Sequence, residues 1–86
     1  MDLWYVAQTQ VRGEERARVN LERQGFRTYL PRYRRERRHA RRREIVQAPL
    51  FPGYIFVRLD LDSAPWRSIN GTFGVSKLVC HGDQPA

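Results

Sequence analysis

The chain has 86 residues, of which 16 are Lys or Arg and 9 are Asp or Glu, so its formal charge is +7 and its sequence pI lies near 10.7. A domain this small buries only about 60–65% of its unfolded surface and holds little stability in reserve, while its charge directs it to polyanions, nucleic acid first and an anionic membrane surface second. The lone Cys80 excludes an internal disulfide and fits a reducing compartment, and no run approaches the ~20 apolar residues of a membrane span, so a cytoplasmic protein is expected.

Leu3-Trp4-Tyr5-Val6-Ala7-Gln8-Thr9 is apolar and β-prone and predicts a strand starting almost at the terminus. Alternation sends Trp4 and Val6 to one face, Tyr5 and Ala7 to the other. After Gly13 the period changes. Glu14, Ala17, Leu21 and Gln24 fall at helical spacing, acids occupy the first turn and Gly25 stands as a stop, which predicts a helix over Glu14–Gln24. Another face of that helix carries Arg16, Asn20 and Arg23, with Arg12 just before it. That set reads either as a solvated face laced by pairs such as Glu14 with Arg18, or as a nucleic-acid contact. Phe26 to Tyr33 alternates again and predicts a second strand, with Pro31 confining its end to a sheet edge or a bulge.

The pattern then gives way to charge. Arg32 to Glu44 holds eight Arg and two Glu, a net of +6. Such a block repels itself and stays out of any core, which predicts the exposed tip of a long hairpin whose return strand begins at Ile45-Val46. Fifteen of the chain's 16 cations are Arg, the side chain that forks onto phosphate and stacks on bases. One sign packed this densely favours phosphate contact by Arg37, Arg38, Arg41, Arg42 and Arg43 over a merely solubilising loop.

The longest apolar run is Ala48 to Leu59, with turn residues at its start and a strand from Tyr54 onward. Ile55, Val57 and Leu59 share one face; Tyr54, Phe56 and Arg58 share the other. Both faces carry large apolar groups, so one is expected to meet the core and the other a partner. Asp62 or Ser63 is a candidate cap and Pro65 suits a first turn, so a short helix is expected to reach about Asn70 and stop at Gly71, with Trp66 and Ile69 inward. Thr72-Phe73-Gly74 reads as a turn. Val75 to Cys80 reads as a last strand with Val75 and Val79 on one face beside Lys77, and Gly82 to Ala86 as a tail. The order β-α-β-β-α-β predicts an α+β fold, an antiparallel sheet flanked by helices in the ferredoxin-like arrangement, as a single domain over residues 1–86.

Nothing in the chain assembles a reaction centre, and no enzyme, metal or cofactor is expected. Asp60 and Asp62 stand where acids are ordinary helix caps, and the neighbouring Cys80 and His81 have no second pair to complete a zinc site. Gly53 to Leu59 has the outline of the aromatic strand of an RNA-recognition motif, in which Tyr54 and Phe56 would stack on the bases of single-stranded RNA. That outline calls for a basic residue at Pro52, a small one at Ile55 and an aromatic at Leu59, so it is kept as the alternative.

Nearly the whole chain resembles the N-terminal (NGN) domain of the NusG family of transcription elongation factors. The resemblance runs through Trp4-Tyr5-Val6, Asn20-Leu21-Glu22, Tyr29-Leu30-Pro31, Leu50-Phe51-Pro52-Gly53-Tyr54-Ile55-Phe56-Val57 and Gly74-Val75, and its most specific piece is Pro49 to Tyr54 after a charged hairpin. Within the family, Leu21 to Gln24, Ile69-Asn70, Thr72, Gly74 to Ser76 and Pro85-Ala86 are most similar to the RfaH group of specialised antiterminators. The resemblance implies a factor that binds bacterial RNA polymerase at the clamp helices of its largest subunit, through an apolar pocket that Tyr54 and Phe56 match, flanked by Phe51 and Pro52. It further implies a contact with the opposite pincer at Trp66, Arg67 and Ser68, where RfaH carries a polar triplet. Non-template DNA of the transcription bubble would meet Arg16, Arg23 and Thr72, on the face that also carries Arg12 and Asn20, with Gln10 and Phe73 standing where RfaH has basic residues. The family's domain continues into a further helix and a KOW domain. Neither lies within these 86 residues, so contacts with termination factor Rho or a ribosomal protein are not assigned to them.

Overall fold

The computed structural model describes residues 2–62, 66–82 and 84–86. The first strand, β1 (Asp2–Thr9), leads into helix α1 (Glu14–Arg23), then β2 (Arg27–Tyr29), β3 (Arg32–His39), β4 (Arg42–Pro49) and β5 (Tyr54–Asp60). A 3-10 helix (Trp66–Gly71), β6 (Val75–Leu78) and two short strands, β7 (Cys80–His81) and β8 (Gln84–Pro85), complete the chain. Four strands form one antiparallel sheet in the order β2-β5-β1-β6, with β3-β4 and β7-β8 as separate ribbons. The fold is α+β with an antiparallel sheet and two helical segments. Its eight strands depart from the expected order β-α-β-β-α-β, because the charged block and the tail each contribute a ribbon.

The core lies on one face of the large sheet. Tyr5 and Ala7 of β1, Ile55, Val57 and Leu59 of β5, and Val75 and Leu78 of β6 pack against Ala17 and Leu21 of α1 and Ile69 of the 3-10 helix. Each wholly buried Leu, Ile or Val contributes about 1.5–3 kcal/mol. Only a few such residues are present, so the margin is narrow. Phe26, Leu30, Leu61 and Trp66 close the rim. Trp66 and Ile69 pack inward as their spacing predicts, while the cap at Ser63 and the first-turn Pro65 lie outside the described residues. Among the described residues no helix is long and apolar enough to cross a membrane.

Several elements differ from expectation, each for a local reason. The second strand stops at Tyr29, since Pro31 has no N–H for the ladder; its carbonyl instead accepts from Leu50 at 2.8 Å and closes the base of the hairpin. The Arg block is the exposed end of a hairpin, as expected, but it is paired almost to its tip. Its ladder runs from Arg32↔Pro49 out to His39↔Arg42, and the return strand begins at Arg42 rather than Ile45. The turn consists of Ala40 and Arg41, both left-handed at φ 50° and 65°, the twist of a two-residue hairpin turn made without the usual Asn or Gly. In β6 the register shifts between Gln8 and Thr9, so that Val75 and Leu78 are buried together, not Val75 and Val79. Glu14 does not pair with Arg18. Its carboxylate accepts the Gly53 N–H at 3.2 Å, and Arg18 bridges Glu15 and Glu22.

Candidate functional site

The sheet face opposite the helices carries a row of rings. Register places Trp4 opposite Arg58, and Val6 and Tyr29 on either side of Phe56, so β1, β5 and β2 present their outward residues together. Ring centroids lie 6.3 Å apart for Trp4 and Tyr29, 6.0 Å for Tyr29 and Phe56, and 5.8 Å for Phe51 and Phe56. Trp4, Tyr29, Phe51 and Tyr54 are each between 42% and 58% exposed, and Phe56 is half-buried among them. The turn before β5 delivers Phe51 to this row. Gly53 sits at φ +87°, donates to Glu14 and accepts from Thr9 N–H at 2.8 Å, and the Tyr54 N–H donates to Phe51 at 3.1 Å. Pro52 is exposed at the tip of that turn. Contiguous apolar rings at the surface mark a docking site for another macromolecule. The sequence pointed to Tyr54, Phe56, Phe51 and Pro52, but not to Trp4 or Tyr29. Alternation showed which way those two point within their own strands, and only the pairing register shows that they join one patch.

A second surface runs along α1 and the turn after the 3-10 helix. Arg16 and Arg23 are exposed, and the Arg16 guanidinium stands 5.5 Å from the centre of the Phe73 ring, itself 69% exposed. Asn20 between them donates to the Arg16 carbonyl at 2.8 Å. Arg12, at φ 56°, lies exposed at the start of the helix. Thr72 is buried beneath this surface. Its hydroxyl donates to the Ser68 carbonyl at 3.1 Å and accepts from Gln24 Nε2 at 2.6 Å, while Ser68 Oγ donates to Gln24 Oε1 at 3.1 Å. This closed loop of bonds pins the end of α1 to the 3-10 helix and fixes where Phe73 emerges. Arg67 is exposed, with its guanidinium 4.8 Å from the Trp66 ring.

The Arg hairpin projects from the body and sets the long axis of a molecule measuring 52 × 20 × 19 Å. Glu44 pairs with Arg37, and Glu36 with Arg43, both at 3.2 Å. Arg34, Arg35, Arg38, Arg41 and Arg42 have no ion pair among the described residues. Register sets Arg38 directly opposite Arg43 and His39 opposite Arg42. The facing guanidinium groups of Arg38 and Arg43 destabilise a free ribbon, a repulsion relieved by a bound polyanion. The base of the hairpin is tethered by Arg32 to Glu15, whose carboxyl is held below the usual glutamate range chiefly by its hydrogen bond from Arg18, with Arg32 adding to it. A depressed carboxyl stabilises the fold above its unfolded pKa and loses that contribution as pH falls through the folded one. The tether therefore belongs to neutral pH, and its exposure keeps the effect small. Among the described residues no three His, Cys, Asp or Glu side chains gather as a metal site would need.

Residues 2–86 match the family described as transcription termination factor NusG. The transcription termination/antitermination protein NusG of Thermus thermophilus is 32% identical over 97 aligned positions, which cover 95% of this chain and 53% of that protein. The chain thus spans about half the length of the curated relative it matches. Since the family match spans residues 2–86, and so the ring-bearing sheet, α1 and the Arg hairpin, the chain belongs to the NusG family of transcription termination and antitermination factors.

Proposed function

We propose that this domain is a transcription elongation and antitermination factor that docks on bacterial RNA polymerase through its ring-bearing sheet face and holds DNA of the transcription bubble with its arginines. The observation that carries the reading is the row Trp4, Tyr29, Phe56, Phe51 and Tyr54, left uncovered on the side of the sheet away from the helices. A convex apolar helical tip is the partner such a face suits, as an amphipathic helix suits an apolar groove. The clamp helices of the largest subunit are the proposed partner, and the cytoplasm the proposed place of action. Trp66, Arg67 and Ser68 lie on a different part of the surface, at the 3-10 helix, and are assigned to the opposite pincer. Capture of purified core polymerase by the immobilised chain in moderate salt is the expected result. Capture of free single-stranded RNA without polymerase would instead favour the RNA-recognition reading.

The DNA contacts divide in two. In the hairpin, each phosphate neutralised adds about −0.9 on duplex, or −0.7 on a single strand, to the slope of log affinity against log salt. Replacing Arg37, Arg38, Arg41, Arg42 and Arg43 by Gln is expected to flatten that slope by several units; an unchanged slope would return the hairpin to a solvated ribbon. On α1, in the manner of the RfaH group, Arg16 and Arg23 are assigned to reading non-template bases, with Asn20 and Phe73 beside them. Arg16→Ala with Arg23→Ala is expected to erase discrimination among non-template sequences while general attraction persists, because base contacts specify and phosphate contacts position. Equal loss on every sequence would refute a reading face.

A further inference from the structure

The two faces of the Arg hairpin are not alike, and the difference bears on how the hairpin meets DNA. Residues directly opposite each other share a face, so Arg34, Glu36 and Arg38 stand with Arg43, Ile45 and Gln47, while Arg35 and Arg37 stand with Arg42, Glu44 and Val46. On the second face the aliphatic residue is partly covered, with Val46 half-buried. On the first, Ile45 is 72% exposed in the middle of the arginines. It lies opposite Glu36, whose charge is already matched by Arg43, and a shallow depression of about 440 Å³ opens there between Arg34, Glu36, Arg43 and Ile45, with Arg35 at its edge.

A surface made only for phosphate has no use for a bare aliphatic group beside a carboxylate at its centre. The groove of a DNA duplex has that chemistry. Its floor offers methyl groups and amino donors, and its rims offer phosphates. The major groove is about 12 Å wide, admits a two-stranded β-ribbon in undeformed duplex and alone displays the thymine methyl group, whereas a ribbon enters the minor groove, at about 6 Å, only by deforming the DNA. Eight residues of strand at ~3.4 Å each give an arm of roughly 27 Å, long enough to follow the groove for several base pairs. We propose that the Arg hairpin is an arm that enters the major groove of duplex DNA with its Ile45 face inward. There Ile45 packs on thymine methyl groups, Arg43 stays paired with Glu36, and Arg34 and Arg38 reach sideways to the phosphates. The inference rests on the reading that the hairpin contacts DNA, and not on the polymerase contact.

The test uses the chain alone with two duplex probes of alternating A·T pairs, one built with thymine and one with uracil, which lacks the C5-methyl group. The parent is expected to bind the thymine duplex about fourfold more tightly, the worth of roughly one buried methyl group. Ile45→Ala is expected to lose affinity for the thymine duplex about tenfold, to bind both duplexes alike, and to keep the parent's salt slope. Ile45→Val, which retains a β-branched side chain, is expected to restore most of the preference. A residue serving only to hold the ribbon together would lower binding to both duplexes equally and leave the preference in place, and that outcome overturns the proposal. Equal affinity of the parent for both probes also overturns it while leaving a phosphate-only hairpin standing. If the parent bound neither duplex at low salt, the DNA-contact reading itself would fall, whatever the polymerase capture gives.

Discussion

Tyr54→Ala combined with Phe56→Ala is expected to leave the domain folded and to abolish most of its affinity for RNA polymerase, whereas Val57→Asp, one position along the same strand, unfolds it. The contrast follows from the pleat of β5. Val57 is wholly buried between Tyr5 of β1 and Thr28 of β2 in the register of the sheet, in a core that among the described residues holds no cation to meet a carboxylate. An unpaired charge there costs several kcal/mol, which is comparable to the whole stability of a domain this size. Phe56 and Tyr54 point the other way. Removing the Phe56 ring forfeits contacts with Tyr29 and Phe51 worth about 0.5–1.5 kcal/mol each, a loss that lowers the melting temperature without unfolding the chain at 25 °C. At an interface centre, truncating an aromatic anchor typically costs about 2–4 kcal/mol, roughly 30- to 1,000-fold in affinity. Circular dichroism on each variant, followed by polymerase capture on those that remain folded, measures both effects. A folded double variant that holds polymerase as the parent does would end the assignment of this face.

The sequence was most informative where one physical rule acts alone. Alternation in Tyr54 to Leu59 separated the buried from the outward residues, and the acids at Glu14 and Glu15 with Gly25 at the far end bracketed α1. It was least informative where distant segments had to find each other. That Trp4 and Tyr29 complete the row around Phe56 depends on the pairing of three strands, and that Leu78 rather than Val79 turns inward depends on an irregularity in the pairing of β1 with β6. Composition misled at the hairpin. A run of arginines reads as the unpaired tip of a hairpin because strands usually carry β-branched residues, yet the ladder extends through it, with Val46 and Tyr33 on the ribbon and the guanidinium groups exposed to water. The turn at Ala40 and Arg41 gave no warning either, since neither residue is one that ordinarily supplies a positive φ. At the α1 surface, spacing found Arg16 and Arg23 but did not show that Thr72 would be drawn under the surface by Gln24 and Ser68.

Gly74→Ala is expected to be the most damaging single methyl group that can be added to this chain, and Gly25→Ala is its control. Both glycines are left-handed, at φ +89° and +93°, so each substitution carries the same conformational penalty of about 1–2 kcal/mol. Around Gly25 a new Cβ meets nothing within 4 Å. At Gly74 it would stand 2.5 Å from the Ala17 amide nitrogen and 2.9 Å from both Ala17 Cα and the Arg16 carbonyl carbon. Those are backbone atoms of α1, which cannot swing aside as a side chain can. The loop must therefore draw back from the helix, and in doing so it strains the bond from the Gln10 N–H to the Gly74 carbonyl, now 2.8 Å. Overpacking of this kind adds about 1–3 kcal/mol, for a total near 2–5 kcal/mol, or roughly a 10–30 °C fall in melting temperature against about 5–15 °C for the control. The damage also reaches the reading surface, because Phe73 is held beside Arg16 by the same close approach. Below its lowered melting point, Gly74→Ala should therefore lose sequence discrimination on non-template DNA while the Arg hairpin, on its own ribbon, keeps its salt-dependent attraction. Equal melting temperatures for the two variants would show that the loop yields freely, and that Gly74 does not hold the reading surface in place.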